Sequence, residues 1–554
     1  MPTGQLLALG AAVDESRMPA YRTEPIIAMP YGEAGNVLRL LRPRIENYGW
    51  GIQSSVRLPL MNASIAEQGH WVGTGGRIYQ VVFAEDGKFS STWLAVRQLS
   101  VITIFRPMYH ISHTPAFKPD TFGVSFPPSH ISANPVALLN AQQCGSKSFI
   151  DLSFNPYYPR QFAVIDEAGF WCIWDIEGRK SLTLAAGKQG TVKNETMTQT
   201  ASNEEEITDG WHRIVWLTNV STIAVCDRRS LVVFDITATP KRLRTHRLFL
   251  PSSSDWILDI KRSAIHSDHL YVLTSSRIFW LKIIAFDEGK KHVSSGAKLI
   301  LSYRHYRDPN DNTMSLEVLT DNDGKSFASL CKSLLMPTVS VLIMSQKSLL
   351  VNYYKFSMNS SGPTSSHGSL ITHHHMTSVE LKSLLFLQVA LIPRLSRVPG
   401  PELEYIERGV RFYQAWSLAS NLEISSALYT IHDLNTRESA YPMHRITAPQ
   451  RRIPQARRRE ASQRVKSHFI VADGDLYEEG SPLDALQSEK SYVDFMNTGD
   501  SLERRINWLE LYRQVFSVPS ESSETEQFMK QLETRILKYA YRGEEKKEAS
   551  MSTL

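Results

Sequence analysis

Apolar residues along this chain come in short bursts, each about five to seven residues long and set off by turn-forming residues. Residues 151 to 175, DLSFNPYYPRQFAVIDEAGFWCIWD, hold three such bursts, divided by a Pro-flanked turn at Asn155 to Pro159 and an Asp-Glu-Ala-Gly turn at Asp166 to Gly169. The same triplet recurs at 77 to 107, at 212 to 236 and at 255 to 283, with further copies at 314 to 356 and 383 to 431. Runs that are β-branched or aromatic and this short leave no room for intervening helices. They predict antiparallel strands of a meander.

The third burst of the first four copies carries a large aromatic near its end: Phe105, Trp174, Phe234 and Trp280. Trp174-Asp175 is a literal WD dipeptide, and Phe234-Asp235 is its near equivalent. Segments 242 to 250 and 299 to 307 supply candidate fourth, outer strands. A lone four-stranded blade cannot hide two apolar faces, whereas a ring of blades can. The pattern therefore predicts a mainly β fold, a WD-repeat-like β-propeller of at least five or six blades, followed by a small α-helical region. A β-sandwich is the competing architecture, because the copies are unevenly spaced.

The expected organisation is a tail at 1–45, the propeller at 46–432, a basic then acidic linker at 433–490, a helical region at 491–543 and a tail at 544–554. Residues 46 to 75, rich in Trp and Gly, are expected to help close the ring. Two polar segments, 185–209 and 357–378, read as flexible insertions. Asp500 with Glu503 and Ser523 with Glu526 resemble helix-start boxes, each followed by an apolar stripe.

The hydrophobic content of 42% and aromatic content of 10% suffice for a substantial core. The longest apolar run, Leu384 to Ile392, is about half of what a bilayer span needs. The opening residues lack the basic residues that precede a secretory core, so the chain reads as intracellular. Cys144, Cys172, Cys226 and Cys331 stand far apart in sequence and read as reduced thiols.

Catalytic signatures are missing from the sequence: it has no P-loop, nucleophile elbow, H-E-x-x-H or dinucleotide fingerprint. Gly73, Gly75 and Gly76 precede a strand and read as a tight turn, not a phosphate cradle. Glu402, Glu404 and Glu407 read as a solvated face. The triple His373 to His375 lies in a polar loop without a fixed carboxylate partner. No metal, cofactor or small-molecule substrate is expected, and no enzymatic activity.

Net charge is only +5, but its distribution is uneven. Residues 444 to 466 hold seven arginines and a lysine against one glutamate. Arg451, Arg452, Arg457, Arg458, Arg459, Arg464 and Lys466 are the candidate residues for nucleic-acid contact or nuclear import. A solvated linker is the bland reading. No aromatic residue interleaves with them, which argues against a base-stacking platform.

FIDLSFNPYYPRQFAVIDEAGFWCIWDIEG (149 to 178), with RIYQVVFAEDGKFSSTWLAVRQLSVITIFRPMYH (77 to 110) before it, resembles the propeller-bearing subunit of the fungal RNA polymerase I core factor. The metazoan counterpart of that family is one of the TATA-binding-protein-associated factors of the selectivity factor. The likeness is clearest from about 45 to 285, looser to about 435 and weak afterwards; its most specific piece is Asn155 to Val164, followed by Trp174 to Gly178. Family members are usually longer, with more helices and a polar tail.

The resemblance implies a non-enzymatic scaffold in transcription initiation at the ribosomal RNA gene promoter. Its implied partners are the other core factor subunits, the TATA-binding protein, RNA polymerase I and promoter DNA, with no membrane. The implied location is the nucleus and nucleolus. A propeller scaffold in another nuclear assembly, such as chromatin or ribosome biogenesis, is the alternative.

Overall fold

The computed structural model describes residues 3–445 apart from 16–21, 51–55, 86–90, 118–122, 124, 147, 179–181, 193–208, 246, 251–252, 264–265, 285–295, 320–337, 349, 360–361, 372–379, 390, 392–404, 406–409 and 432–443. They lie within one compact unit, Met1–Thr447. The expected helical region at 491–543 and most of the linker fall outside the described residues.

Four strands open the chain: β1 (Ala8–Asp14), β2 (Arg22–Tyr31), β3 (Val37–Trp50) and β4 (Val56–Val72). The first blade then uses β5 (Gln80–Phe83), β6 (Leu94–Arg97) and β7 (Val101–Phe105). Strands β8 (Met108–Thr114) and β9 (Ser129–Ser132) return to the N-terminal sheet, and β10 (Pro135–Asn140) completes the first blade beside β7.

The second blade is β11 (Phe149–Asn155), β12 (Tyr158–Asp166), β13 (Phe170–Glu177) and β14 (Thr183–Thr191). The third is β15 (Arg213–Trp216), β16 (Thr222–Cys226), β17 (Leu231–Asp235) and β18 (Lys241–Thr245). The fourth is β19 (Ile257–Arg262), β20 (His269–Thr274), β21 (Arg277–Ile284) and β22 (Gly296–Arg304). The fifth is β23 (Ser315–Leu319), β24 (Thr338–Met344), β25 (Leu350–Asn359) and β26 (Gly362–Ile371). The sixth is β27 (Leu381–Val389), β28 (Arg411–Ala419) and β29 (Ile424–Ile431). The short β30 (His444–Arg445) adds to β3.

Each blade is an antiparallel meander. The third and fourth are joined edge to edge by a parallel β18–β22 contact. Apolar clusters fill the gaps between successive sheets. Trp171 and Ile173 of the second blade meet Trp216 and Phe234 of the third, with the Trp171 and Phe234 rings 5.1 Å apart. Burying one such aromatic contributes roughly 2–3 kcal/mol, and neighbouring blades supply both walls.

The N-terminal sheet closes the ring. Its Ile27, Met29 and Leu41 pack on Leu385, Trp416 and Leu418 of the sixth blade. Its Ile26, Leu38 and Leu40 join a cluster with Val81, Phe83 and Phe105 of the first. The β-propeller reading thus holds, and Phe105, Trp174, Phe234 and Trp280 are all buried as expected.

Several boundaries require correction. Residues 1–45 are no tail: β1, β2 and most of β3 lie there, since both of their faces carry apolar residues buried between two blades. The propeller unit therefore extends beyond 46–432 on the N-terminal side, and β30 lies within what reads as linker. Residues 185–191 belong to β14 and 362–371 to β26, so the expected insertions are partly outer strands. An outermost strand pairs on one side only and faces solvent, so its composition is polar and mimics a loop.

Candidate functional site in the central channel

The inner edges of the blades converge on a cavity of about 610 Å³ whose wall includes Gln80, Asp151, Arg213, Asp259, Lys261 and Glu317. The strands that bring these residues together, β5, β11, β15, β19 and β23, are short and largely apolar, with one to three polar positions each. In several of them, the polar side chain reaches sideways to the backbone of the next sheet.

Gln80 Oε1 accepts from Leu152 N at 3.3 Å, and Gln80 Nε2 donates to Asp151 Oδ1 at 2.7 Å. Asp151 Oδ2 accepts from Ile214 N at 3.0 Å. Asp259 Oδ2 accepts from Leu316 N at 2.9 Å, and its Oδ1 from Ile260 N at 2.9 Å. At the closure, Ser383 Oγ accepts from Leu6 N at 3.4 Å. Apart from the local Asp259–Ile260 contact, these are clamps that satisfy backbone N–H groups across sheet boundaries, where the ladder itself offers no partner.

Charge concentrates in the middle of the series. Arg213 lies 3.8 Å from Asp151 and 3.7 Å from Asp259, bridging the carboxylates of two blades. Lys261 and Glu317 approach to 3.7 Å. Behind the wall, Arg97 is fully buried, donating to Gln80 Oε1 at 2.9 Å and to the Phe149 carbonyl at 2.7 Å. Burial pulls its guanidinium below the ordinary arginine value. Both oxygens of Asp151 and of Asp259 accept from donors, so these carboxylates serve as joints.

The Asn155 to Val164 stretch also resolves into hydrogen bonding. Asn155, fully buried, accepts from Tyr157 N at 3.0 Å through Oδ1, which sets the β11–β12 turn. Its Nδ2 donates to Gln161 Oε1 at 2.7 Å and reaches the Val220 carbonyl of the third blade at 3.3 Å. Gln161 Nε2 donates in turn to Asp175, the acidic member of the WD dipeptide, at 2.9 Å. Gly169 closes the following turn at φ +82°, with Asp166 Oδ1 accepting from Ala168 N and Phe170 N.

Arg451, Arg452, Arg457, Arg458, Arg459, Arg464 and Lys466 lie outside the described residues, as do His373 to His375, Glu402, Glu404, Glu407 and Cys331. Cys144 and Cys172, remote in sequence, stand with their sulfurs 3.4 Å apart as free thiols. Burial raises the Cys226 thiol well above its ordinary value. Among the described residues, two groups offer three potential metal ligands: Glu67 with His113 and His130, and His266 with Asp268 and His269. In the second group Asp268 already faces the Lys282 ammonium at 3.6 Å.

The clamp residues Gln80, Asp151, Arg213 and Asp259 escaped sequence reasoning. A signal was present: a hydrogen-bonding side chain set among apolar neighbours near the start of an inner strand, as in YQVVF, IDLSF and LDIKR.

A protein-family profile described as "Rrn6, beta-propeller" matches residues 2–374. A segment of 177 residues is 27% identical to the Saccharomyces cerevisiae protein named RNA polymerase I-specific transcription initiation factor RRN6, covering 30% of this chain and 17% of that protein. The matched segment is thus a small part of that relative's length. Among solved structures, a chain of the S. cerevisiae core factor crystal structure superposes with a TM-score of 0.50 at 13% identity, covering 93% of this chain and 69% of that one. At such identity the structural likeness speaks for the fold alone.

Proposed function

Because this chain belongs to the Rrn6 beta-propeller family, we propose that it is a non-enzymatic initiation factor subunit for RNA polymerase I, its ring serving as the rigid body on which a core factor assembles. The observation that carries this reading is the family match over residues 2–374, which takes in the N-terminal sheet and the first five blades. The name of the yeast relative supports it.

In this reading, the contribution of the ring is geometry. Clamped blades keep the loops of both rims at fixed separations, so several moderate contacts act together as one multivalent grip. Its partners are the other core factor subunits, the TATA-binding protein, polymerase I and promoter DNA, in the nucleus and nucleolus. Arg451, Arg452, Arg457, Arg458, Arg459, Arg464 and Lys466 act as an import signal or as phosphate contacts with a salt-dependent share of DNA affinity.

The test is affinity purification of a tagged full-length copy from its own cells, with crosslinking to chromatin. Recovery of two other core factor subunits and polymerase I, together with enrichment at the ribosomal RNA gene promoter, is the expected result. Recovery of a chromatin or ribosome-biogenesis assembly without polymerase I would overturn it. Alanine at the five residues Arg451, Arg452 and Arg457 to Arg459 is expected to lower nuclear accumulation or flatten the salt dependence of DNA binding. No change in either would reduce the run to a linker.

A further inference from the structure

We propose that Glu67, His113 and His130 form a binding site for a divalent transition metal, zinc above all, on the N-terminal sheet. This goes beyond the initiation-factor reading and does not depend on it. The three residues come from three strands, β4, β8 and β9. Their ligand atoms all lie within 4.8 Å of one another, with Glu67 and His130 half-buried and His113 exposed at the mouth.

The strand geometry accounts for the convergence. In the β8–β9 pair, Tyr109 faces Ile131 and Thr114 faces Ser129, so the register shifts between them and His110 to His113 form a bulge. Bulges re-aim side chains. Here the His113 and His130 rings are brought to a centroid separation of 3.9 Å.

The surroundings prepare the ligands. His130 Nδ1 lies 3.0 Å from the His110 carbonyl oxygen. A carbonyl only accepts, so Nδ1 carries the hydrogen and Nε2 presents its lone pair. Metal-ligating histidines are held in this way by a second hydrogen bond. Glu67 Oε1 accepts from the His130 backbone N–H at 2.7 Å and from Ser129 Oγ at 3.3 Å, which fixes the carboxylate beside the imidazoles. Its other oxygen is 4.0 Å from Arg42, whose stronger partner is Glu24 at 2.9 Å.

Two imidazoles and one carboxylate suit zinc, cobalt(II) or nickel(II) better than calcium or magnesium, which prefer oxygen ligands throughout. Three protein ligands leave a position open for water or for a side chain of another protein. The expectation of no metal drawn from the sequence had no access to this trio, because positions 67, 113 and 130 follow no ligand spacing.

The test uses the full chain, stripped with a chelator and titrated with zinc alone and with cobalt(II) as a spectroscopic probe. His113 is exposed, so His113→Ala should fold normally. The wild type is expected to hold one equivalent more than His113→Ala, and zinc should raise its thermal midpoint by an increment the variant lacks. Loss of a supporting residue alone weakens metal sites about 10- to 100-fold, so loss of this ligand should weaken binding at least about 100-fold. His113→Cys should restore binding and add a thiolate-to-cobalt charge-transfer band. Equal stoichiometry in wild type and His113→Ala, no zinc-dependent difference between them, or no such band in His113→Cys would overturn the proposal.

Discussion

The clamps in the middle of the ring and those at its closure do the same mechanical job with different chemistry. Between the second and fourth blades the acceptors are carboxylates, Asp151 and Asp259, with Arg213 between them. Where the sixth blade meets the N-terminal sheet, the groups are neutral. Ser383 accepts from Leu6 N, while Gln414 accepts from Met61 N at 2.9 Å and donates to Met61 O at 2.6 Å. The closure joins residues 377 and 353 positions apart. Yet the entropy of closing a loop grows only logarithmically with its length, and the apolar cluster around Trp416 spans the same boundary. Charged joints hold strongly when whole and fail badly when halved; neutral ones do less in both directions.

The sharpest way to break this comparison is Asp151→Ala. The change orphans Ile214 N, removes one of the two acceptors of Gln80 Nε2 and takes one of two counter-charges from Arg213. A loss of about 3–5 kcal/mol is expected, read as a lower thermal midpoint and as faster hydrogen exchange at Ile214. A loss under ~1 kcal/mol would mean that water replaces the carboxylate at no cost, and the charged joints would lose their special standing.

Gln414→Ala tests the neutral side. Gln414 is buried, and its removal leaves both Met61 N–H and Met61 C=O without this partner. The expected loss is about 2 kcal/mol, with added exchange confined to the β4–β28 boundary. If exchange instead rises around the whole ring, closure and the middle joints form one cooperative unit.

Acid should act on both regions. His70 in the N-terminal sheet and His269 in the fourth blade are drawn down to about 4, chiefly by burial, with Arg39 adding to the effect at His70. An unfolded imidazole takes up its proton near pH ~6.5. These lowered values contribute stability that is fully present above about pH 6.5 and is lost as pH falls towards about 4. The expected combined loss is about 1–2 kcal/mol after allowance for partial solvent access, measured as thermal midpoint against pH. His70→Asn and His269→Asn should each flatten that slope, and an unchanged slope would refute the assignment.

What could be read in the chain beforehand follows from what neighbours each strand. Middle strands lie between two sheets and two ladder partners, so they are apolar throughout, and Phe105, Trp174, Phe234 and Trp280 announce them. Outer strands such as Thr183–Thr191 and Gly362–Ile371 meet solvent and read as loops. The N-terminal strands were hidden by Pro25, Pro30, Arg39 and Arg42, which break an otherwise apolar alternation even though Leu38, Leu40 and Leu41 are fully buried. Gln80, Asp151 and Asp259 were legible only as oddities, since the backbone group each one serves belongs to another blade. Glu67, His113 and His130 were not legible at all, because a β-bulge and the return of β8 and β9 to the N-terminal sheet after the first blade has begun bring them together.

The smallest effect expected is that of Ser383→Ala. Its bond to Leu6 N is long at 3.4 Å, and its oxygen is neutral. Loss of about 0.5–1 kcal/mol is the ordinary cost of one modest neutral hydrogen bond. Because Ser383 occupies the same inner-strand role as Asp151, the ratio of the two losses measures what a charged joint with three partners adds over a neutral one with a single long bond. A ratio of about three or more supports the division between charged and neutral joints. Equal losses would instead locate the weak point of the ring at its closure, and the cluster of Leu6, Leu385 and Trp416 would then be the place where unfolding begins.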